Sequence, residues 1–226
     1  PVCGSTVGRE GAFFYCTGQS VCGAQLKGAI EHFSSKHALN IEGLGKKTVA
    51  QLVDEGLVRS LADLYRLTKA HLIKLKGFAD RSATVLLESI AGSKTVSLDR
   101  FLMGLGIRQV GQHIAKVLAR EFGSLDEIMS ADRERFQQIR EIGPEISESL
   151  AVYWSELHNR EVIAQLQESG VQIGPGMAKG HRRESPLSGK TFVFTGGLDH
   201  FTRNDAQQAV EALGARVSSS VGKKTS

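Results

Sequence analysis

The sequence predicts a mainly α-helical fold, and three observations carry that expectation. Four short segments, Glu42-Gly43-Leu44-Gly45, Gly77-Phe78-Ala79, Gln109-Val110-Gly111 and Glu141-Ile142-Gly143, recur at intervals of 34, 32 and 32 residues between their central apolar positions. Each lies between apolar stretches of helical spacing, so each reads as the turn of a helical hairpin in a repeat architecture. A cysteine-bearing stretch precedes them and predicts a small zinc finger; a strand-helix-strand pattern follows them and predicts an α/β segment.

The turns come first because their chemistry is specific. Glycine permits positive φ and, lacking Cβ, lets a backbone approach another surface closely. Each turn opens a helix, whose first N–H groups have no internal partner and whose dipole favours an anion. A small-apolar-small turn entering a helix is therefore a phosphate site that needs no charged side chain, the pattern of a helix-hairpin-helix. Any one copy also fits an ordinary αα-hairpin; four in register favour the repeat.

Helices are expected after each turn. Val49, Leu52, Val53 and Leu57 follow the first, and Ala83, Leu86, Leu87 and Ile90 the second. Ile114, Ala115, Leu118 and Phe122 follow the third, and Ile146, Leu150, Tyr153, Trp154 and Leu157 the fourth. All are assigned to the core. Helices led by Leu61/Leu64/Leu67, Leu98/Phe101/Leu102 and Leu125/Ile128 precede turns two, three and four, with Ser60 and Ser124 as N-caps.

At the N-terminal end stand Cys3, Cys16 and Cys22. Structural zinc takes four tetrahedral thiolate or imidazole ligands, and these supply three. Pro1-Val2-Cys3-Gly4 reads as the tail of a Cys-Pro-Val-Cys-Gly knuckle whose first cysteine precedes Pro1. Alternatively His32 completes the set, or the three thiols are unrelated. Past residue 173, a Gly-, Pro- and Arg-bearing stretch reads as a linker over 174–185. Gly189–Gly196 then predicts a strand, Arg203–Leu213 a helix and Gly214–Val217 a second strand, which the crossover makes parallel to the first. The segment over 186–226 is expected to be an incomplete domain.

Composition sets bounds. With 226 residues and 41% apolar content the chain holds one sizeable domain or two to three small ones. No apolar run approaches the roughly 18 residues of a membrane span, no signal peptide is visible, and three cysteines make no disulfide framework. The reading is a soluble, cytoplasmic monomer. The formal charge of +4 is no argument for nucleic acid, because residues 36–173 carry 18 basic and 18 acidic groups. Within them, residues 36–105 carry 11 basic against 7 acidic groups, and 106–173 the reverse. The first pair of turns is thus the better platform for an anion, with Lys46, Lys47 and Arg81 beside it; Arg108 and His113 flank turn three. Glu42 and Glu141 place carboxylates near the proposed anions and oppose binding unless they point away.

The three regions, in this order, resemble the C-terminal half of bacterial NAD⁺-dependent DNA ligases. The motifs that carry the resemblance are Cys-Thr-Gly-x-x-x-Cys-Gly-Ala-Gln (16–25), Ile-Glu-Gly-Leu-Gly-Lys-Lys (41–47), Leu-Gly-Ile-Arg-Gln-Val-Gly (105–111), Ile-Gly-Pro-Glu-Ile-Ser (142–147) and the BRCT-like Gly-Lys-Thr-Phe-Val-Phe-Thr-Gly-Gly-Leu (189–198). The resemblance implies a zinc finger over 1–35 with Cys3, Cys16 and Cys22 as ligands. It implies a helix-hairpin-helix domain over 36–173 that grips nicked duplex DNA through its minor groove. Gly43, Gly45, Lys46, Lys47, Gly77, Arg81, Arg108, Gly111 and Gly143 would line that grip, and 186–226 would begin a BRCT domain. Its parent enzyme would join 3′-OH and 5′-phosphate ends in replication and repair. NAD⁺ and Mg²⁺ would be held elsewhere in the parent, because the Lys-x-Asp-Gly adenylation motif is not in these residues and they would be inactive alone. Thr195, Gly196 and Lys223 are candidates for a BRCT phosphate pocket. Two other readings stay open: a helix-hairpin-helix module of another repair protein, and a protein-interaction scaffold acting through the BRCT region. Replacing Gly45 and Gly77 with Val is expected to weaken DNA binding without unfolding the helices.

Overall fold

The computed structural model describes residues 3–10, 13–16, 22–176, 187, 190–196, 206–207, 209–210, 213 and 215–218. Two units result, Pro1–Gly176 and Met177–Ser226.

In the larger unit the chain opens with an antiparallel ribbon, β1 (Val7–Glu10) and β2 (Phe13–Cys16), paired from Val7↔Cys16 to Glu10↔Phe13. Among the described residues ten helices follow: α1 (Gly23–Phe33), α2 (Lys46–Asp54), α3 (Lys69–Ile73), α4 (Asp80–Gly92), α5 (Leu98–Gly104), α6 (Gln112–Phe122), α7 (Leu125–Ser130), α8 (Arg133–Gln137), α9 (Pro144–Ser155) and α10 (Leu157–Glu168). A 3-10 helix, Leu61–Arg66, lies between α2 and α3. The fold is mainly helical, as the periodicity predicts.

The four expected turns occupy equivalent places. Helices α2, α4, α6 and α9 each begin at the residue after Gly45, Ala79, Gly111 and Gly143. Each turn is pinned by two buried apolar residues three apart: Ile41 and Leu44, Leu75 and half-buried Phe78, Ile107 and Val110, Ile139 and Ile142. In the last three pairs the second residue's N–H donates to the first residue's carbonyl, at 3.2, 3.0 and 2.9 Å. Burial of both ends clamps a β-turn whose two middle residues stay outside. The helices that leave the turns bury the predicted stripes, with Val49, Leu52, Ala83, Leu86, Ile90, Ala115, Leu118, Phe122, Leu150 and Trp154 all in one core.

Three expectations need correction. Leu57 lies beyond α2, and Leu157 starts α10 with 69% of its surface exposed, so it is not core. The chain breaks at Glu156, whose backbone is extended, and the stripe ends with it. The helices entering turns two and four are also not the ones expected. Thr68 accepts a bond from the His71 N–H (3.3 Å) and Asp132 one from the Arg135 N–H (2.8 Å), and these side-chain caps start the separate short helices α3 and α8. Ser124 caps α7 through the Glu127 N–H as predicted, and Ser60 precedes the 3-10 helix, its own N–H bonded to the Asp63 carboxylate.

A parallel two-stranded ladder, β3 (Thr95–Ser97) with β4 (Gln172–Gly174), joins the middle of the chain to the end of α10. At three residues each, these strands leave no periodic signal in the sequence. In the smaller unit β5 (Thr191–Phe192) pairs parallel with β6 (Arg216–Val217), and residues 206–207 and 209–210 between them are helical, as the strand-helix-strand pattern requires.

Gly104 marks the tightest contact of α5 with the segment after α1. A Cβ there would stand 2.8 Å from Leu39 Cδ1, 3.3 Å from Phe33 Cδ2 and 3.4 Å from Ala38 Cβ. Gly104→Val should therefore lower stability by about 1–3 kcal/mol through overpacking, read as a fall in the thermal midpoint.

Candidate nucleic-acid interface and cysteine cluster

The turns present helix N-termini whose N-cap residues make no side-chain cap bond. Gly45, Gly111 and Gly143 are the N-caps of α2, α6 and α9, with extended backbone (φ −74°, −83° and −80°) and no side-chain cap bond. A Cβ at any of the three would meet no atom within 4 Å. Ala79, the fourth member, carries a Cβ in that position and the same extended conformation. Among the described residues neither backbone strain nor packing calls for glycine at these three sites. What remains within the chain is the preference of an N-cap for residues such as glycine, and the open space leaves the backbone accessible to another surface.

The residue two before each N-cap behaves differently. Gly43 and Gly77 are left-handed (φ +90° and +87°), and so is Gln109 (φ +63°), a conformation that side chains other than glycine adopt at a cost. Glu141, the fourth, is not left-handed. The expectation for Gly77→Val is corrected accordingly: a β-branched residue at that φ carries strain of its own.

Register sorts the charges. Counting two residues on from each N-cap gives Lys47, Arg81, His113 and Glu145, a series that runs from cation to anion along the chain. Lys46, Lys47 and Arg81 are exposed, with no acidic partner among the described residues. Asp80, at the start of α4, is paired with Lys69 at 2.6 Å. Arg108 is exposed beside turn three. Glu141 does not face open solvent alone: His113 Nε2 lies 2.5 Å from its carboxylate and Arg120 Nη2 3.3 Å. The hydrogen bond with His113, and then Arg120, hold its carboxyl below the usual carboxylate range against partial desolvation. Turn four also begins its helix with Pro144, which removes one N–H from the set an anion would use. The exposed Lys74 and Lys76 also flank turn two, and no motif singles them out. The two-residue register is contained in the sequence, yet it becomes legible only once the N-caps are fixed.

The turns are braced in pairs. The Glu42 N–H donates to Ser89 Oγ on α4 at 2.7 Å, and Gln51 Nε2 on α2 donates to the Lys76 carbonyl at 3.2 Å. Gln109 Nε2 lies 3.4 Å from Glu145 Oε2. Turn one is thus tied to turn two, and turn three to turn four.

The second cluster is at the ribbon. Cys3 precedes β1, Cys16 ends β2 and Cys22 is the N-cap of α1, and their three sulfurs lie within 4.8 Å of one another, Cys3 and Cys16 at 3.4 Å. Tetrahedral zinc with Zn–S near 2.3 Å puts its sulfurs about 3.8 Å apart, so three soft donors converge at the right scale to hold a metal ion. Hydrogen bonds from Ser5, and then from Cys16, pull the Cys3 thiol down to about 6, against a smaller opposing effect of desolvation. Gln25 Nε2 donates to the Cys16 carbonyl at 2.6 Å and fastens the ribbon to α1. His32 does not join the thiols. Its Nε2 lies 2.7 Å from the Met103 carbonyl on α5, and ten residues of helix separate it from Cys22, about 15 Å along the axis.

In the smaller unit Thr195 and Gly196 follow β5, while Lys223 lies outside the described residues.

Against known proteins, residues 35–91 match the SAM-like helix-hairpin-helix tandem, residues 100–163 the helix-hairpin-helix motif, and residues 182–226 the BRCA1 C Terminus (BRCT) domain. Fold and matches together define the class, a helix-hairpin-helix protein with a BRCT segment. Over all of its 226 residues the chain is 46% identical to a DNA ligase of Syntrophotalea carbinolica, covering 33% of that protein. Across 230 aligned residues it is 45% identical to a DNA ligase of Alkalilimnicola ehrlichii, covering 34% of it. The chain is thus similar over its whole length to these DNA ligases, and it spans about one third of the length of the curated relatives it matches.

The two glycine positions of turn one should separate in a stability assay. Gly45→Ala, entering open space at an ordinary φ, should leave the thermal midpoint within a degree or two. Gly43→Ala, at φ +90° and with Leu86 Cδ1 3.3 Å from the new Cβ, should cost about 1–2 kcal/mol.

Proposed function

We propose that this chain is the DNA-grasping portion of an NAD⁺-dependent DNA ligase, and that it performs no chemistry itself. One observation carries the reading: three glycine N-caps that the fold does not need, on helices of 9, 11 and 12 residues whose first N–H groups lack side-chain caps. A phosphate diester fits there, taking hydrogen bonds from backbone N–H groups and attraction from the helix dipole. Backbone and phosphate are the same in every sequence, so binding is independent of base sequence. The repeat region is neutral overall, so the local cations decide which turns hold best. Lys46, Lys47 and Arg81 favour turns one and two; Pro144 and Glu145 disfavour turn four.

The units run as four helix-hairpin-helix repeats over 36–173, with a zinc finger over 1–35, a linker over 174–185 and a BRCT segment over 186–226. Zinc, when bound, neutralises the thiolates and crosslinks ribbon to helix. Cys3, Cys16 and Cys22 hold it, and the fourth ligand is a group other than His32. The substrate is nicked duplex DNA with 3′-OH and 5′-phosphate ends. NAD⁺ and Mg²⁺ serve the adenylation chemistry, which needs a Lys-x-Asp-Gly lysine that this chain does not supply. A monomer in the cytoplasm suits such a grip.

Fluorescence anisotropy with a nicked duplex tests the reading. Binding should be equal for unrelated sequences and fall log-log with salt. Lys47→Gln and Arg81→Gln should each flatten that slope by about 1. Gly45→Val should weaken binding about tenfold or more at an unchanged thermal midpoint, since a side chain at a phosphate site both blocks approach and lengthens its bonds. Unaltered affinity in Gly45→Val sinks the assignment of the turns. In a chelator-release assay the wild type should yield bound zinc and Cys16→Ser none.

A further inference from the structure

Beside the third and fourth turns one histidine and one arginine are engaged within the chain, while Arg108 and Arg140 in the turns themselves are exposed. His113, second residue of its turn's helix, and Arg120, two helical turns further along, lie on one face of α6. Both reach the carboxylate of Glu141, at 2.5 Å and 3.3 Å. Glu141 stands where turns one and two have Gly43 and Gly77. Arg120 also has Glu121 beside it at 3.5 Å, while Gln109 engages Glu145. At the first pair, by contrast, Lys46, Lys47 and Arg81 have no acidic partner among the described residues.

Exposed ion pairs add little to folding stability, so stability does not explain a carboxylate at this place. Its chemistry does point somewhere. A carboxylate offers the same charge sign and the same acceptor oxygens as a phosphate, and guanidinium and imidazolium groups take either. Held below its ordinary range by these two partners, the Glu141 carboxyl stays anionic at neutral pH.

We propose that Glu141 is an internal phosphate mimic that sets the strength of DNA binding. It occupies the His113 imidazole and the Arg120 guanidinium, keeps them from DNA phosphates, and leaves the stronger electrostatic grip to Lys46, Lys47 and Arg81. The duplex is then held more firmly at the first pair of turns than at the second, where Arg108 and Arg140 are the exposed cations. This rests on the reading of the turns as phosphate-binding elements.

The test compares wild type, Glu141→Gln, the triple variant His113→Ala/Arg120→Ala/Glu141→Gln and Gly45→Val, all as the full chain, by anisotropy with a nicked duplex across a salt series. Glu141→Gln should bind several-fold tighter at low salt, with a log-log slope steeper by about 1–2, near 0.9 for each additional phosphate neutralised. The triple variant should bind like wild type, because it loses the two side chains together with the carboxylate that occupies them. Equal or weaker binding by Glu141→Gln at an unchanged slope overturns the proposal, and so does lost affinity in the triple variant, which would place His113 and Arg120 on DNA in the wild type. Should Glu141→Gln fail to fold, by its circular dichroism and thermal midpoint, the triple variant decides alone. A failure of Gly45→Val to weaken binding is separate: it removes the phosphate role of the turns themselves.

Discussion

Everything presented at the surface of the larger unit depends on a pair of buried apolar residues three apart in each turn. Ile41 with Leu44, Leu75, Ile107 with Val110 and Ile139 with Ile142 enter one core, and half-buried Phe78 packs against it. Burial of each such side chain contributes about 1.5–3 kcal/mol. Because both ends of the turn are pulled inward, the intervening residues and the following N-cap face outward. The helix start is thereby aimed without any polar side chain to hold it. A phosphate site of this kind is made by packing beneath it, and its N–H groups stay free because no serine, threonine or aspartate stands at the N-cap.

Four such turns are not four equal contacts. The core fixes the backbone of each, but the residues placed on that backbone differ in charge and in donors. Lysine and arginine stand at the second helical position of the first pair; histidine and glutamate stand there in the second. Proline takes one N–H from turn four, and Glu141 draws His113 and Arg120 onto itself. A region with no net charge can in this way present exposed cations at one end and paired charges at the other.

The cysteine cluster obeys the same logic on a smaller scale. A four-residue ribbon cannot bury enough surface to be stable alone. Three convergent thiols and the Gln25 bond to the Cys16 carbonyl tie it to α1, which packs on α2 and α5. His32, which its type and position in the sequence offered as a ligand, is engaged farther along α1 in the contact with α5.

Much of this was legible in the chain because it is local. Spacing of 34, 32 and 32 residues located the turns, helical periodicity located the helices after them, and the small residues marked the N-caps. The parallel pairing of β5 and β6 followed from the order strand, helix, strand. Breaks at Thr68 and Asp132 escaped, since a cap is decided by one side chain and leaves the apolar pattern around it intact; the extended backbone at Glu156 carries no side-chain cap. The β3–β4 ladder joins residues more than 70 apart and could come only from the closed fold. So could the fate of individual charges. Sequence by itself determined where the four turns and their N-caps are, because backbone conformation there follows from residue type and short-range burial. Tertiary structure alone decided which of them keep their cations, because pairing Glu141 with His113 and Arg120 depends on two helices that only packing brings together.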